Sequence, residues 1–382
     1  FQQLGRLDPF TGTFTPVSRE KWDVDGFDLS DDGKTIAYVV NEAGFDALRI
    51  LDVASGKVKR AGNLLAGNIG GLEIAPWGEI GFSFNGARSA SDVWSLDPKS
   101  MKLTRWTQSE TGGLDPNINV EPRILTTRSF DGLEVSGLLY LPDPAKFPGK
   151  RPLIVDVHGG PEGQSTAGFM GPDNYFLNEL GVGILLPNVR GSTGYGKTFV
   201  SLDNGPFRRE DSVKDMAALI DAVRKDPAVD ARRIGLTGGS YGGYMCYAGA
   251  VQLKDKLAAT QCTVAISNFV SFLENTNPYR QDLRRVEYGD ERVPEQRAKL
   301  MEISPLTRVS EITKPMFVIT GANDPRVPKS EADQMVAAIR KNGGEAWHLI
   351  AADEGHGFRK KANSEYSFLA QLVFWEKYLL AQ

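Results

Sequence analysis

The first chemical hint in this chain is a serine in a glycine frame, Gly238-Gly239-Ser240-Tyr241-Gly242-Gly243. A serine hydroxyl is a poor nucleophile until a neighbouring base takes its proton. The frame follows the short apolar run 233–237 and precedes a stretch, 244–251, that can be helical. Strand, G-x-S-x-G and helix in that order is the context of a nucleophile elbow, a sharp turn that lifts the hydroxyl to where a base can reach it. Small residues on either side of Ser240 let such a turn close without a clash.

The base must be a histidine, and the chain has three: His158, His348 and His356. His356 sits in the glycine-flanked loop Asp353-Glu354-Gly355-His356-Gly357-Phe358, after the apolar run 347–351. His348 lies inside that run and reads as a strand residue. The third group must orient the imidazole and stabilise its cationic form. Residues 316–320, Met-Phe-Val-Ile-Thr, read as a buried strand leading into Gly321-Ala322-Asn323-Asp324-Pro325-Arg326-Val327-Pro328. Asp324 falls just past that strand's C-terminal end, where open parallel sheets gather their functional groups. The order Ser240, Asp324, His356 is the α/β-hydrolase order. His158-Gly159-Gly160-Pro161 follows the buried run 153–157, where the oxyanion loop of that fold is expected. A tetrahedral intermediate needs preorganised donors for its oxygen, and the backbone N–H groups of Tyr241 and Gly160 are the candidates. His158 reads as a brace for this loop rather than a second base.

In combination, these motifs make the chain resemble the prolyl oligopeptidase family of serine peptidases, nearest its acylaminoacyl-peptidase-like and dipeptidyl-peptidase-like branch. The resemblance rests on His158-Gly159-Gly160-Pro161, Asn188-Val189-Arg190-Gly191-Ser192-Thr193-Gly194-Tyr195-Gly196, Gly238 to Gly243, Asn323 to Pro328 and Glu354 to Phe358. It implies a β-propeller capping an α/β-hydrolase domain and admitting short peptides. It further implies Ser240 as nucleophile, Asp324 as orienter, His356 as base and Arg326 as a group holding the substrate backbone. Arg190 and Tyr195 read as scaffold of a family-typical loop. The resulting expectation is a peptidase that cleaves short peptides through an acyl-enzyme. A carboxylesterase using the same triad is the alternative.

The front of the chain has another texture, with short alternating runs and turns rich in Asp and Gly. It also repeats: Leu7-Asp8, Leu51-Asp52 and Leu96-Asp97 each precede a small turn, at a period of about 45 residues, the length of one four-stranded propeller blade. A second marker recurs in step at Leu29-Ser30-Asp31-Asp32-Gly33 and Ile74-Ala75-Pro76-Trp77-Gly78. Residues 1–116 are therefore expected to form about two blades and the end of a third. Residues 117–382 are expected to form an α/β-hydrolase domain with a mainly parallel sheet covered by helices on both faces. Because the chain starts with Phe1 inside a repeat, it reads as the C-terminal portion of a longer protein. Two blades alone would leave unpaired edges, so a missing propeller fragment or a second copy is an expected partner.

Composition narrows the remaining classes. With 44 Lys and Arg against 48 Asp and Glu, the formal net charge is -4, which gives no basic footprint for nucleic acid. No apolar run approaches the roughly 20 residues that span a bilayer, so no membrane role is expected. The compartment stays open between cytoplasm and export. Three scattered histidines argue against a metal, and no cofactor is expected. Cys246 and Cys262 read as buried packing residues rather than a redox pair.

In the hydrolase half, buried strands are expected at 153–157, 182–186, 234–237, 264–266, 316–320 and 347–351. Val213, Met216, Ala217, Ile220 and Val223 form a helical stripe. Ser330 with Asp333 resembles a capping box. A final helix carries Phe368, Leu369, Leu372, Val373 and Trp375. Between nucleophile and Asp324 lies the excursion 269–290, rich in aromatic residues and arginine. Phe269, Phe272 or Tyr279 is expected there to line an apolar pocket for the residue that donates the scissile carbonyl.

Overall fold

The computed structural model describes residues 1–62 and 64–381. They form two compact units. One comprises 1–124 with 164–180 and 193–199, the other 125–163, 181–192 and 200–382.

The first unit is all antiparallel. One four-stranded sheet runs in the order Asp23–Leu29, Thr35–Glu42, Phe45–Asp52, Val58–Arg60, and a second in the order Gly67–Ile74, Ile80–Gly86, Ser89–Asp97, Lys102–Arg105. Each is one propeller blade. A two-stranded ribbon, Gly5–Leu7 with Phe14–Pro16, precedes them. The blades bury one apolar layer, with Ala37, Leu48 and Ile50 of the first packed with Ile80, Phe82, Phe84 and Leu96 of the second. The repeat has a structural consequence. Asn41 and Asn85 occupy equivalent positions, six residues after Thr35 and Glu79 respectively. Asn41 Nδ2 donates to Gln164 Oε1 at 2.7 Å, and Asn85 Oδ1 accepts from the Phe169 N–H at 2.6 Å. Segment 164–180 is thereby tied to the blades although it follows the first long parallel strand in sequence.

The second unit is built on an eight-stranded sheet in the order Arg123–Arg128, Glu134–Tyr140, Gly183–Asn188, Arg151–Val157, Val229–Gly239, Ala259–Thr263, Met316–Gly321, Ala346–Ala351. The last six strands in this order are mutually parallel, and Glu134–Tyr140 is antiparallel to its neighbour Gly183–Asn188. Neighbouring residues on a strand face opposite sides, and the central strand uses both. A Cβ on Gly235 would meet the Trp375 ring of the C-terminal helix Lys361–Trp375, whereas Leu236 packs against Gly249 of helix Tyr241–Gln252. Helices thus cover both faces, and the unit has the α/β-hydrolase fold.

Several local expectations need correction. The fourth parallel strand is Ala259–Thr263, not 264–266, because Val264 turns to φ 42° and ends it. Its buried Gln261 accepts a hydrogen bond from Trp375 Nε1 at 3.1 Å, so a polar residue is satisfied inside the sheet. Cys246 and Cys262 are buried but do not merely pack: they form a disulfide, with Cα atoms 5.6 Å apart. The bond staples helix Tyr241–Gln252 to that strand. Ser330 and Asp333 form no capping box, since helix Lys329–Lys341 starts after Pro328 and Lys329 pairs with Asp333 along its exposed side. On the last helix Phe374 and Trp375 turn inward, while Leu369 and Val373 face solvent.

One carboxyl in the blades carries a pH dependence. Burial pushes Asp46 up to about 7, the charge of Asp25 adds to this, and a bond from the Ile69 N–H opposes it. A carboxyl that holds its proton more tightly when folded stabilises fully below its unfolded value of about 3.9. That contribution is lost as pH rises through about 7. Asp46→Asn is expected to flatten the stability profile between about pH 4 and 7. It should raise Tm above wild type at pH 8, as read by thermal unfolding across pH.

Candidate active site

Ser240 sits between strand Val229–Gly239 and helix Tyr241–Gln252 with φ 61° and ψ -117°, a conformation side chains seldom adopt. Such strain persists only where the surroundings over-determine it, and here glycines allow them to close in. A Cβ on Gly242 would run into the carbonyl oxygen of Val157, and one on Gly238 into the backbone of Gly242. A Cβ on Gly243 would come within 2.6 Å of Ala265. The Ser240 N–H donates to the Thr263 carbonyl at 3.0 Å, fixing the turn to the next strand.

Strand Arg151–Val157 lies beside strand Val229–Gly239 and runs into the loop 158–161. A Cβ built on Gly159 would stand 3.6 Å from Ser240 Cβ, so this loop passes directly over the serine. His158 Nδ1 lies 2.8 Å from the Gly159 carbonyl and Nε2 lies 2.9 Å from Ser192 Oγ. A carbonyl only accepts, so Nδ1 carries the proton and Nε2 accepts from the Ser192 hydroxyl. Burial pushes this imidazole below its ordinary value, which keeps it neutral in that role. Tyr241 is the first residue of its helix, where N–H groups have no acceptor within the helix.

Asp324 follows strand Met316–Gly321, and its carboxylate is fully engaged. Oδ1 accepts from the N–H groups of Arg326 at 2.8 Å and Val327 at 3.1 Å, and Oδ2 lies 2.7 Å from His356 Nδ1. A carboxylate at Nδ1 places the ring proton there and leaves Nε2 as the basic nitrogen. The His356 loop is held by Glu354, whose carboxylate accepts from the N–H groups of Arg359 and Lys360 and from Asn363. Gly321 permits the two loops to meet, because a Cβ there would strike the backbone of Glu354 and Gly355.

Ser240, His356, Gly159 and Gly160 line one cleft of about 330 Å³, with Ile266, Phe272, Arg280, Arg284, Tyr288, Arg326 and Val327. Among the sequence-derived pocket residues the cleft therefore includes Phe272 and Arg326 but neither Phe269 nor Tyr279. Phe269 is wholly buried behind the cleft, its ring 5.2 Å from Tyr288. Tyr279 is 70% exposed, because helix Pro278–Tyr288 turns it outward. Arg280, Arg284 and Tyr288 fall four residues apart on that helix, a spacing legible in the sequence that marks them as one face.

Two buried polar groups support this arrangement. Beneath helix Tyr241–Gln252, Arg209 pairs with Asp203 in full burial and lies over the rings of Tyr241 at 5.6 Å and Tyr288 at 4.8 Å. Glu331 accepts from the N–H groups of Ser267 at 3.0 Å and Asn268 at 2.9 Å, just before helix Phe269–Asn275. Burial pushes its carboxyl up, against the pull of those bonds.

A nucleophile elbow, an Asp–His pair and a glycine loop on the carboxyl ends of a mainly parallel sheet define an α/β-hydrolase-type site. Residues 168–382 match the profile of the prolyl oligopeptidase family, and the chain belongs to it. This places it among serine hydrolases. It is similar to dipeptidyl peptidase family member 6 of Caenorhabditis elegans, 38% identical over 216 residues, covering 56% of this chain and 29% of that one. It is also similar to dipeptidyl aminopeptidase BIII of Pseudoxanthomonas mexicana, 36% identical over 236 residues, covering 58% and 33%. The chain thus spans about a third of the length of these curated relatives. Among solved structures, a puromycin hydrolase superposes with a TM-score of 0.85 at 24% identity, covering 98% of this chain and 58% of that one. Acylaminoacyl peptidase of Pyrococcus horikoshii superposes with a TM-score of 0.80 at 22% identity, covering 96% and 58%. Among the described residues, no helix is long and apolar enough to cross a membrane.

The buried pair under helix Tyr241–Gln252 gives a stability test. Removing one partner leaves an uncompensated buried charge, at about 3–5 kcal/mol. Asp203→Asn is expected to lower unfolding free energy by that amount in urea denaturation. The double variant Asp203→Leu with Arg209→Met should recover most of the loss.

Proposed function

We propose that this chain carries the catalytic machinery of a serine peptidase that hydrolyses short peptides through Ser240, His356 and Asp324. The observation that carries the reading is the 2.7 Å contact between His356 Nδ1 and Asp324 Oδ2, with His356 opening into the cleft that also exposes Ser240. His356 Nε2 takes the proton of Ser240 as its oxygen attacks the scissile carbonyl. Asp324, held by two backbone N–H groups, stabilises the imidazolium without taking the proton itself. The backbone N–H groups of Tyr241 and Gly160 receive the developing oxyanion, one from the start of a helix and one from a glycine loop. His356 then gives the proton to the leaving amine, and water repeats the cycle on the acyl-enzyme. Arg326, on the cleft wall beside Asp324, holds the substrate backbone. The dipeptidyl peptidase and acylaminoacyl peptidase names of the relatives agree with this chemistry. In the whole protein, the propeller that residues 1–116 help to build would restrict entry to short peptides.

Ser240→Ala is expected to reduce kcat by about 10⁴–10⁶-fold with an unchanged circular dichroism spectrum. An unimpaired variant would refute the assignment. Turnover of matched peptidyl anilides and p-nitrophenyl esters separates the peptidase from an esterase with the same triad. The peptidase reading expects anilide cleavage at rates comparable to ester cleavage.

Phe272, Ile266, Val327 and Tyr288 give the cleft an apolar wall. We read this wall as the pocket for the residue that donates the scissile carbonyl. Phe272→Ala is then expected to lower kcat/KM for a Phe-containing substrate about 10-fold or more relative to its Ala counterpart, since an apolar contact of this size contributes about 1–3 kcal/mol. Equal loss on both substrates would remove Phe272 from the pocket.

A further inference from the structure

The cleft holds three guanidinium groups, Arg280, Arg284 and Arg326, and no carboxylate among its lining residues. This contrasts with the rest of the excursion that forms one wall. Arg285 pairs with Glu291 and Asp282, Arg292 with Asp290 and Arg297 with Glu274. Arg284 is answered by Glu287 one turn on, and also donates to the Gly160 carbonyl at 3.4 Å. Arg280 and Arg326 have no such answer: among the described residues, no carboxylate comes within ion-pair reach of either. The Arg280 guanidinium lies 5.9 Å from the centroid of the neighbouring Tyr279 ring.

Placing Arg280 and Arg284 four residues apart on one helix face sets like charges beside each other, which works against the helix. Half-buried positions in a cleft also strip water from these groups and strengthen their field on whatever enters. Such a surface repels an ammonium group and attracts a carboxylate, which a guanidinium fork can grip through two parallel hydrogen bonds. The apolar wall below them suits the methylenes or backbone that carry the carboxylate.

We propose that this cleft selects peptides with a carboxylate next to the scissile bond, and that Arg280, aided by Arg284 and Arg326, is the selecting group. The carboxylate comes from an Asp or Glu side chain or from the free C-terminus. The inference rests on the serine-peptidase reading above and adds the substrate class to it.

The test uses acetyl-blocked peptides with Asp, Asn or Lys installed in turn at two positions on either side of one cleavable bond. Each peptide is made with a free and an amidated C-terminus, and cleavage is read by mass spectrometry. At one position at least, Asp should exceed Asn about 10-fold in kcat/KM, and Lys should fall below Asn. A gain that follows the free terminus instead identifies the terminal carboxylate as the source. The Asp-to-Asn ratio, or the ratio of free to amidated terminus, should shrink at least fivefold in Arg280→Gln. It should also shrink as salt is raised from low to high concentration, because the Debye length falls from about 30 Å at 0.01 M to about 3 Å at 1 M. Ratios near one at every position and terminus, with Asn peptides still cleaved and Ser240 still labelled by a fluorophosphonate, would overturn this proposal and leave the peptidase reading intact. A preference that survives Arg280→Gln and Arg326→Gln would overturn it as well. Loss of all cleavage and labelling in the wild type would overturn both readings together.

Discussion

The whole second unit depends on one close approach, that of helix Tyr241–Gln252 to the end of strand Arg151–Val157. The helix starts where Gly242 lies against the Val157 carbonyl, a spacing no side chain at 242 would permit. Between strand Val229–Gly239 and this helix the chain passes through the turn at Ser240, with φ 61°. The loop 158–161 lies across the serine. The turn at Ser240 and the loop 158–161 therefore meet at one contact, and a change that loosens the helix moves both. The disulfide from Cys246 to Cys262 holds the same helix to the strand on the other side.

Around this contact several charged side chains are buried, and they share a pattern. Arg190, Arg209 and Glu331 are all buried, and each binds backbone or side chains of loops that would otherwise have no regular structure. Arg190 joins Asp215 at 2.8 Å with Asp131 at 3.0 Å, so it ties helix Asp211–Val223 to the turn before strand Glu134–Tyr140. Glu331 joins the helix after Asp324 to the segment after strand Ala259–Thr263. Burial of charge contributes little net stability when a hydrophobic alternative exists. Its value here is directional: a hydrogen-bonded carboxylate fixes where a loop sits, which apolar packing does less sharply.

The elements legible in the sequence were those with strong local signals. The G-x-S-x-G frame fixes its strand and helix through steric need alone. Asp324 and His356 follow apolar runs closed by glycine, and both lie at strand ends where a parallel sheet gathers them. What the sequence hid depends on tertiary partners. Strand Ala259–Thr263 carries buried Thr260 and Gln261, and it reads as polar until Trp375 supplies the donor for Gln261. The disulfide was hidden because two cysteines 16 residues apart carry no spacing signal. Phe269 and Phe272 are three residues apart on one short helix. Tyr288 packs against both, and of the two only Phe272 lines the cleft.

The arginines of the excursion follow from the same reasoning. Seven residues from 269 to 288 are aromatic or basic, and composition alone does not divide them. Helix Pro278–Tyr288 divides them by angle: Tyr279 to solvent, Arg285 to the carboxylate of Glu291, and Arg280 with Arg284 and Tyr288 to the cleft. A charge that faces solvent is screened, and one that faces a partner is neutralised. Only a charge that faces a confined cleft without a partner keeps its field for the molecule that enters. On the proposed reading Ser240, His356 and Asp324 supply the chemistry, so the identity of the substrate must be written in what surrounds them. In this chain that surrounding wall is cationic on one side and apolar on the other.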